Sequence, residues 1–257
     1  MLQPRDIPVV GILACQKLRV NGSRYSQVND IVSEQLAVHA GVVPLVIPTV
    51  HPEQVGGALE DLDGLVLPGG GSYVHPSYYA SSDLVAGRTY DAARDEVALN
   101  LLEYAAGLPD LPVLGSCRGM QEIAVYGGAR LRDVDQESAV THRYVPRLPG
   151  GDDWASAHLV TVQPGGLLAD LLGLDSARPI HVNSQHSQHV DIGSGPIRVE
   201  AVAPDGVVEA ISVDWPRRHV LGIQWHVERN TGSSALNRRI LQSFGRQCRL
   251  RKQKRSA

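Results

Sequence analysis

Gly115-Ser116-Cys117-Arg118-Gly119 follows the apolar run Leu111-Pro-Val-Leu and opens a helical pattern with Met120, Ile123 and Ala124 on one face. A small-x-nucleophile-x-small pentapeptide between strand and helix has the form of a nucleophile elbow, here with Cys in place of Ser. The turn is so tight that its flanking residues must be small. It lifts the nucleophile clear of the sheet and sets it at a helix N-terminus, where the positive end of the dipole favours thiolate. Taken alone, the pentapeptide also fits a buried Cys between two glycines, so the rest of the chain has to supply a base and an oxyanion hole.

Outward from the elbow, strand-like runs alternate with helical patterns, which predicts an α/β fold: a mostly parallel sheet with helices on both faces. Val9-Val-Gly-Ile-Leu-Ala is the first strand, and Val28, Ile31, Val32 and Leu36 mark a helix stopped by Gly41. Strands over 43–48 and 62–67 follow, the second running into Pro68-Gly69-Gly70-Gly71. Val97, Leu101, Leu102 and Ala105 define a helix ending at Gly107, and the elbow helix stops at Gly127-Gly128. Residues from about 131 to 158 are polar and rich in Pro and Gly, and read as a long loop or excursion. Beyond them lie strands at 159–162, 197–201, 207–213 and 220–225, with Asp205-Gly206 as a hairpin signal. The last helix is expected over 233–244. No repeat or separating linker interrupts the pattern, so residues 1–257 are expected to form one domain with a core of about 8–245 and a basic tail from 246 to 257.

With 43% hydrophobic and 20% charged residues, the chain has the composition of a globular protein with a sizeable core. No apolar run approaches the ~20 residues of a membrane span, and the N-terminus lacks a signal-peptide layout. Cys15, Cys117 and Cys248 are odd in number and far apart, which fits neither a disulfide framework nor a zinc site and makes a cytoplasmic location the expectation. Cys15 and Cys248 should therefore be replaceable by Ala. A net charge of −3 gives no electrostatic case for nucleic acid, and the basic tail reads as a solvated, frayed end.

The candidate base is His226, at the end of the strand that closes on Trp225. Glu228 lies two residues on, and in an extended segment side chains at i and i+2 share a face. The carboxylate can then orient the imidazole and stabilise it as imidazolium beside thiolate. Gly69-Gly70-Gly71, at a strand's carboxyl end, should face the same crevice as the elbow. The N–H groups of Gly70 and Arg118 would make a two-donor oxyanion hole. The glycine loop lacks the following Gly-Lys-Ser/Thr that a phosphate cradle needs.

His181, His186 and His189 lie close in sequence, with His142 and His158 upstream. Their spacing matches no standard zinc pattern, and no thiol or acid sits within the cluster. Asn183-Ser184-Gln185-His186 reads instead as a polar loop that binds a polar ligand.

Together these segments resemble the class I glutamine amidotransferase-like hydrolases, and within them the γ-glutamyl-γ-aminobutyrate hydrolases grouped with the C26 peptidases. The resemblance runs from Pro8 to about Phe244. It rests on 67–70, Arg94-Asp95, 115–121, His142-Arg143, Val182-Asn-Ser-Gln-His-Ser-Gln, Pro204-Asp-Gly-Val-Val-Glu-Ala and Leu221-Gly-Ile-Gln-Trp-His-Val-Glu. It implies a flavodoxin-like sheet and a triad of Cys117 as nucleophile, His226 as general base and acid, and Glu228 as orienter. Gln121 matches the position that holds the glutamyl α-amino and α-carboxylate end. Tyr73, Asn183, Ser184, Gln185 and His186 are the further substrate-binding candidates. Val227 stands where relatives usually have Pro, and Tyr73 and Gln185 also depart from the usual residues.

The activity implied is hydrolysis of a γ-glutamyl amide to glutamate and an amine through a Cys thioester, with no cofactor and no metal. The partner expected is the small-molecule γ-glutamyl substrate, with no nucleic acid or membrane; a homodimer is compatible with the chain. The same triad would serve a glutaminase subunit that passes ammonia to a separate synthetase, and the same fold would serve a binding protein with a silent site. An amide at Gln185 in place of an apolar side chain should favour a polar or cationic leaving amine.

Overall fold

A computed structural model describes residues 6–79, 84–143, 154, 157–213 and 219–256. Its strands are β1 (Val9–Leu13), β2 (Cys15–Leu18), β3 (Arg24–Gln27), β4 (Val43–Ile47), β5 (Gly64–Leu67), β6 (Val113–Ser116) and β7 (Arg130–Asp133), followed by β8 (His158–Val162), β9 (Arg178–Val182), β10 (Gln188–Asp191), β11 (Ile197–Val202), β12 (Val208–Val213) and β13 (Val220–Ile223). The α-helices are α1 (Asp30–Gln35), α2 (Pro52–Val55), α3 (Ala92–Gly107), α4 (Arg118–Tyr126), α5 (Leu167–Leu172) and α6 (Ala235–Ser256).

The main sheet runs β4-β1-β5-β6-β13-β12-β11-β8-β9. Its first five strands pair in parallel and the rest antiparallel. Counted in chain order, the parallel block reads second-first-third-fourth-fifth, which is the flavodoxin-like order. The alternation of side chains explains why β5 and β6 are apolar throughout. Leu65 and Leu67 join the core on one face while Val66 joins the core on the other, and Val113 and Leu114 divide likewise. The carboxyl ends of β1, β5, β6 and β13 therefore emerge together at one edge of the sheet.

Three departures from the sequence reading matter. The tail is not frayed: α6 continues to Ser256, past the expected end at 244. Arg251 is buried and donates to the carbonyls of Leu62 and Pro109 at 2.9 Å each, while Arg255 and Lys252 pair with buried Asp63. The basic run is thus held by the C-terminal carbonyls and acids of neighbouring loops. The second departure is the β2–β3 hairpin, whose signal, Asn21-Gly22, was present: Gly22 takes φ of 82° at the turn. The third concerns 131–158. Its start belongs to β7, which pairs with β10, and its end opens β8; residues 144–153 and 155–156 lie outside the described residues.

Candidate active site

The elbow forms because nothing larger than glycine fits around it. Cys117 sits at φ 51°, ψ −105°, between β6 and the first turn of α4. A side chain in that region of backbone space costs ~1–3 kcal/mol and persists only where its surroundings fix it. The fixing is visible: the Cys117 N–H donates to the Ile223 carbonyl at 2.7 Å, tying the elbow to β13. Gly119 passes so close to β5 that a Cβ on it would lie 1.8 Å from the Leu67 carbonyl oxygen, and a Cβ on Gly115 would strike the Gly119 backbone at 2.7 Å. Gly119→Ala should therefore push α4 off β5, destabilising the protein by more than ~3 kcal/mol by chemical denaturation; a loss below ~1 kcal/mol would show that the elbow can relax.

β13 delivers the next two side chains. Beyond its end, His226 Nδ1 and Glu228 Oε1 are 2.7 Å apart, and the second carboxylate oxygen accepts from Ser116 Oγ at 3.1 Å. Ser116, inside the elbow, is thus a member of the site that sequence reasoning passed over. Burial alone would lower the pKa of His226, but the charges of Glu228 and Cys117 beside it and the hydrogen bond it donates to Glu228 push it up to about 10. Burial would likewise raise Glu228, yet the charge and hydrogen bond of His226, with Ser116, hold it below the usual carboxylate value. Val227, between them, is buried in the core.

The Pro68–Tyr73 loop completes this side of the site. A Cβ on Gly69 would meet His226 Cε1 at 2.7 Å, so Gly69 is pressed against the imidazole, with Cys117 Cβ in ordinary contact distance at 3.6 Å. Gly70 lies beside Cys15 Sγ and the Arg118 and Arg94 side chains. Two buried guanidiniums hold the loop by its carbonyls: Arg94 donates to Pro68 and Gly69, and Arg118 to Ser72 and Tyr73. Both are neutralised from α3 and α4, Arg94 by Glu122 at 2.9 Å and Arg118 by Glu122 and by Asp95 at 2.6 Å. The Tyr73 N–H in turn donates to the Thr89 carbonyl at 2.9 Å. Cys15 belongs to this assembly, since its sulfur accepts from Arg94 at 2.9 Å. Cys15, which the sequence alone gives as replaceable, thus touches a guanidinium that holds the loop.

Cys117, His226 and Glu228 line one cavity of about 440 Å³, together with Gly70, Arg118, Tyr73, Gln121, Gln185 and His186. Asn183 and Ser184 do not line it. Asn183 is instead bonded twice to the backbone of His226, accepting from its N–H and donating to its carbonyl, both at 2.9 Å. Ser184 donates to the His142 carbonyl at 2.6 Å. Both are buried supports for the loop. The 73 and 187 loops meet where Tyr73 Oη and Ser187 Oγ lie 2.8 Å apart. Lys17 from the hairpin, Arg143 and Arg229 add basic groups to the wall. Trp154 packs edge-on against His226, with ring centroids 4.6 Å apart.

His181 is exposed on β9 and His189 half-buried on β10, so the three histidines that lie close in sequence do not converge. His186 meets His142 and His158 instead, around Glu209 of β12. The acid was invisible to a search by spacing because it comes from a strand 23 residues further along the chain than His186.

The Peptidase C26 family model matches residues 8–228. The gamma-glutamyl-gamma-aminobutyrate hydrolase of Escherichia coli strain K12 is 35% identical over 248 residues, covering 94% of this chain and 93% of that protein. The protein NtpR of Enterococcus hirae is 27% identical over 248 residues, covering 93% and 98%. The crystal structure of a putative GMP synthase subunit from Thermoplasma acidophilum shares the fold, with a TM-score of 0.63 at 17% identity over 98% of both chains. No helix among the described residues is long and apolar enough to cross a membrane. The chain belongs to the peptidase C26 family of class I glutamine amidotransferase-like hydrolases.

Proposed function

We propose that the protein hydrolyses a γ-glutamyl amide through a thioester on Cys117. The observation that carries the reading is the 2.7 Å pair of His226 and Glu228 on the wall of a cavity that the strained Cys117 also lines. The thiolate attacks the γ-carbonyl carbon, and the N–H groups of Gly70 and Arg118 receive the oxyanion. As the C–N bond breaks, the His226 imidazolium gives its proton to the departing nitrogen. The neutral imidazole then takes a proton from water, whose oxygen attacks the thioester and releases glutamate and the thiolate. The reacting atoms need no metal. The relatives named as gamma-glutamyl-gamma-aminobutyrate hydrolases support this substrate class.

Gln121 is assigned to the α-amino group. Its Nε2 already donates to the Gln188 carbonyl at 3.1 Å and to Gln224 Oε1 at 3.3 Å, which leaves its own carbonyl oxygen to accept from an ammonium. Lys17, Arg143 and Arg229 in the wall favour a substrate that carries a second carboxylate on its leaving group, as γ-aminobutyrate does. That is opposite in sign to the cationic amine that Gln185 suggested by itself.

A panel of γ-glutamyl-γ-aminobutyrate, γ-glutamylputrescine and glutamine, assayed with purified protein and no synthetase, tests the reading. The first should have the highest kcat/KM; turnover of glutamine alone would instead favour the glutaminase role. Gln185 lines the cavity with an Oε1 that has no hydrogen-bond partner among the described residues. Gln185→Leu should therefore change the ranking of the panel by about tenfold to a hundredfold, with the thioester chemistry intact. Equal scaling of all three substrates would remove Gln185 from specificity.

A further inference from the structure

Behind the 183–188 loop, four buried side chains from four separate stretches of chain converge. His142 Nδ1, His158 Nε2 and His186 Nε2 face Glu209 Oε1 at 3.1, 3.4 and 3.4 Å. Glu209 is fully buried and the three histidines are between 3% and 8% exposed. None of these three nitrogens, and neither Glu209 oxygen, has the geometry of a hydrogen bond to any described group. Five orphaned polar atoms in one buried place are costly unless something between them satisfies all at once.

The far side of each ring says what that something is. His186 Nδ1 lies 2.9 Å from the Gln188 carbonyl, and His158 Nδ1 lies 3.1 Å from the Leu159 carbonyl. His142 Nε2 lies 2.8 Å from the Asp205 carboxylate. Carbonyls and carboxylates only accept, so each ring must carry its proton on that outer nitrogen. The inner nitrogens of the neutral rings then present lone pairs to a carboxylate. One added proton would relieve one of the three contacts. A cation at the centre relieves them all. Outer donation to a carbonyl or carboxylate is also the arrangement that fixes metal-binding histidines.

We propose that His142, His158, His186 and Glu209 form a closed structural site for a divalent transition cation, zinc being the one suited to four N and O ligands. With ligands at about 2.0–2.1 Å, a tetrahedron has edges of about 3.3 Å, close to the three Glu209 contacts. No two of the four ligand atoms are more than 4.8 Å apart. Two positive charges would balance Glu209 and the outer Asp205. With all four positions taken by protein, no open position remains for substrate or water, so the ion would act by holding the chain. It would clamp His186, and with it the wall of the cavity, to β8 and β12. This inference stands whether or not the substrate is a γ-glutamyl amide.

The test uses the full-length chain carrying Cys117→Ala, so that the cavity thiol cannot hold zinc. After treatment with a chelator, the protein is titrated with zinc alone against a chromophoric competitor, and separately with cobalt(II). One zinc per chain, a zinc-dependent rise in Tm and the visible bands of tetrahedral cobalt are expected. Asp205→Asn keeps the contact to the Val207 N–H but removes the charged acceptor from His142, so it should weaken zinc about 10- to 100-fold. Glu209→Gln should remove the site, and if that variant does not fold, Asp205→Asn decides. Failure to take up stoichiometric zinc would show a cluster held by protons and overturn the proposal. Zinc uptake unchanged in Asp205→Asn would overturn it as well, by placing the ion elsewhere.

Discussion

Cys117→Ala should lower turnover by about 10⁴- to 10⁶-fold, the range that follows removal of a nucleophile acting with its base as one unit. The fold should survive, because Ala occupies the same backbone conformation and loses only one sulfur, at a cost of at most about 1 kcal/mol. Steady-state kinetics with a denaturation curve on the same sample checks both halves. The other thiols make the contrast informative. Cys248 is fully buried, and burial raises its pKa, so it is inert and Cys248→Ala should leave turnover unchanged. Cys15→Ala removes an acceptor from the buried Arg94 guanidinium, which costs ~1–3 kcal/mol and loosens the 68–73 loop. Its loss in rate should be modest. A loss equal to that of Cys117→Ala would mean the nucleophile has been misassigned.

The second large effect is expected from Glu228→Gln. It keeps the shape of the side chain but removes the charge that holds His226 protonated, and a rate loss of about 10²- to 10⁴-fold follows from the wrong tautomer and the missing counter-charge. Its signature is in the pH dependence. In the wild type, His226 is raised from 6.5 to about 10, so its contribution to stability is fully present below 6.5 and lost as pH rises towards 10. Glu228 is lowered from 4.5, so its contribution is present above 4.5 and lost as pH falls through its depressed value. The variant should lose both slopes, and the alkaline limb of its pH–rate profile should move towards neutrality. An alkaline limb that stays in place would mean that another group holds the imidazolium.

Much of the site could be read without coordinates because its chemistry is local in sequence. The elbow needs small residues two positions either side of the nucleophile, and Gly115 and Gly119 declare that requirement directly. The Trp225-His226-Val227-Glu228 run shows an imidazole and a carboxylate two residues apart, but what brings them together is a turn beyond β13, where the Arg229 N–H donates to the His226 carbonyl at 3.2 Å, and not the strand alternation expected; period and punctuation marked the parallel strands and their order along the chain. What could not be read is set by atoms that meet across long separations. Ser116 reaches Glu228 over 112 residues, and Arg94 reaches the 68–69 carbonyls from α3. Asn183 and Ser184 looked like ligand-binding residues because polar loop residues carry no mark of which way they face.

The basic tail shows the same limit in reverse. Its charges predict solvent, and only the packing of α6 reveals that Arg251 fills a buried position capped by carbonyls of the 59–62 and 109 loops. The sequence by itself determined the fold class, the nucleophile elbow and the His-x-Glu pair, because each is written in spacings of two to four residues. Only the tertiary structure decided which polar side chains enter the cavity, which brace it, and that three histidines share one buried glutamate. Those outcomes depend on the directions in which side chains from distant segments point once the sheet has brought them together.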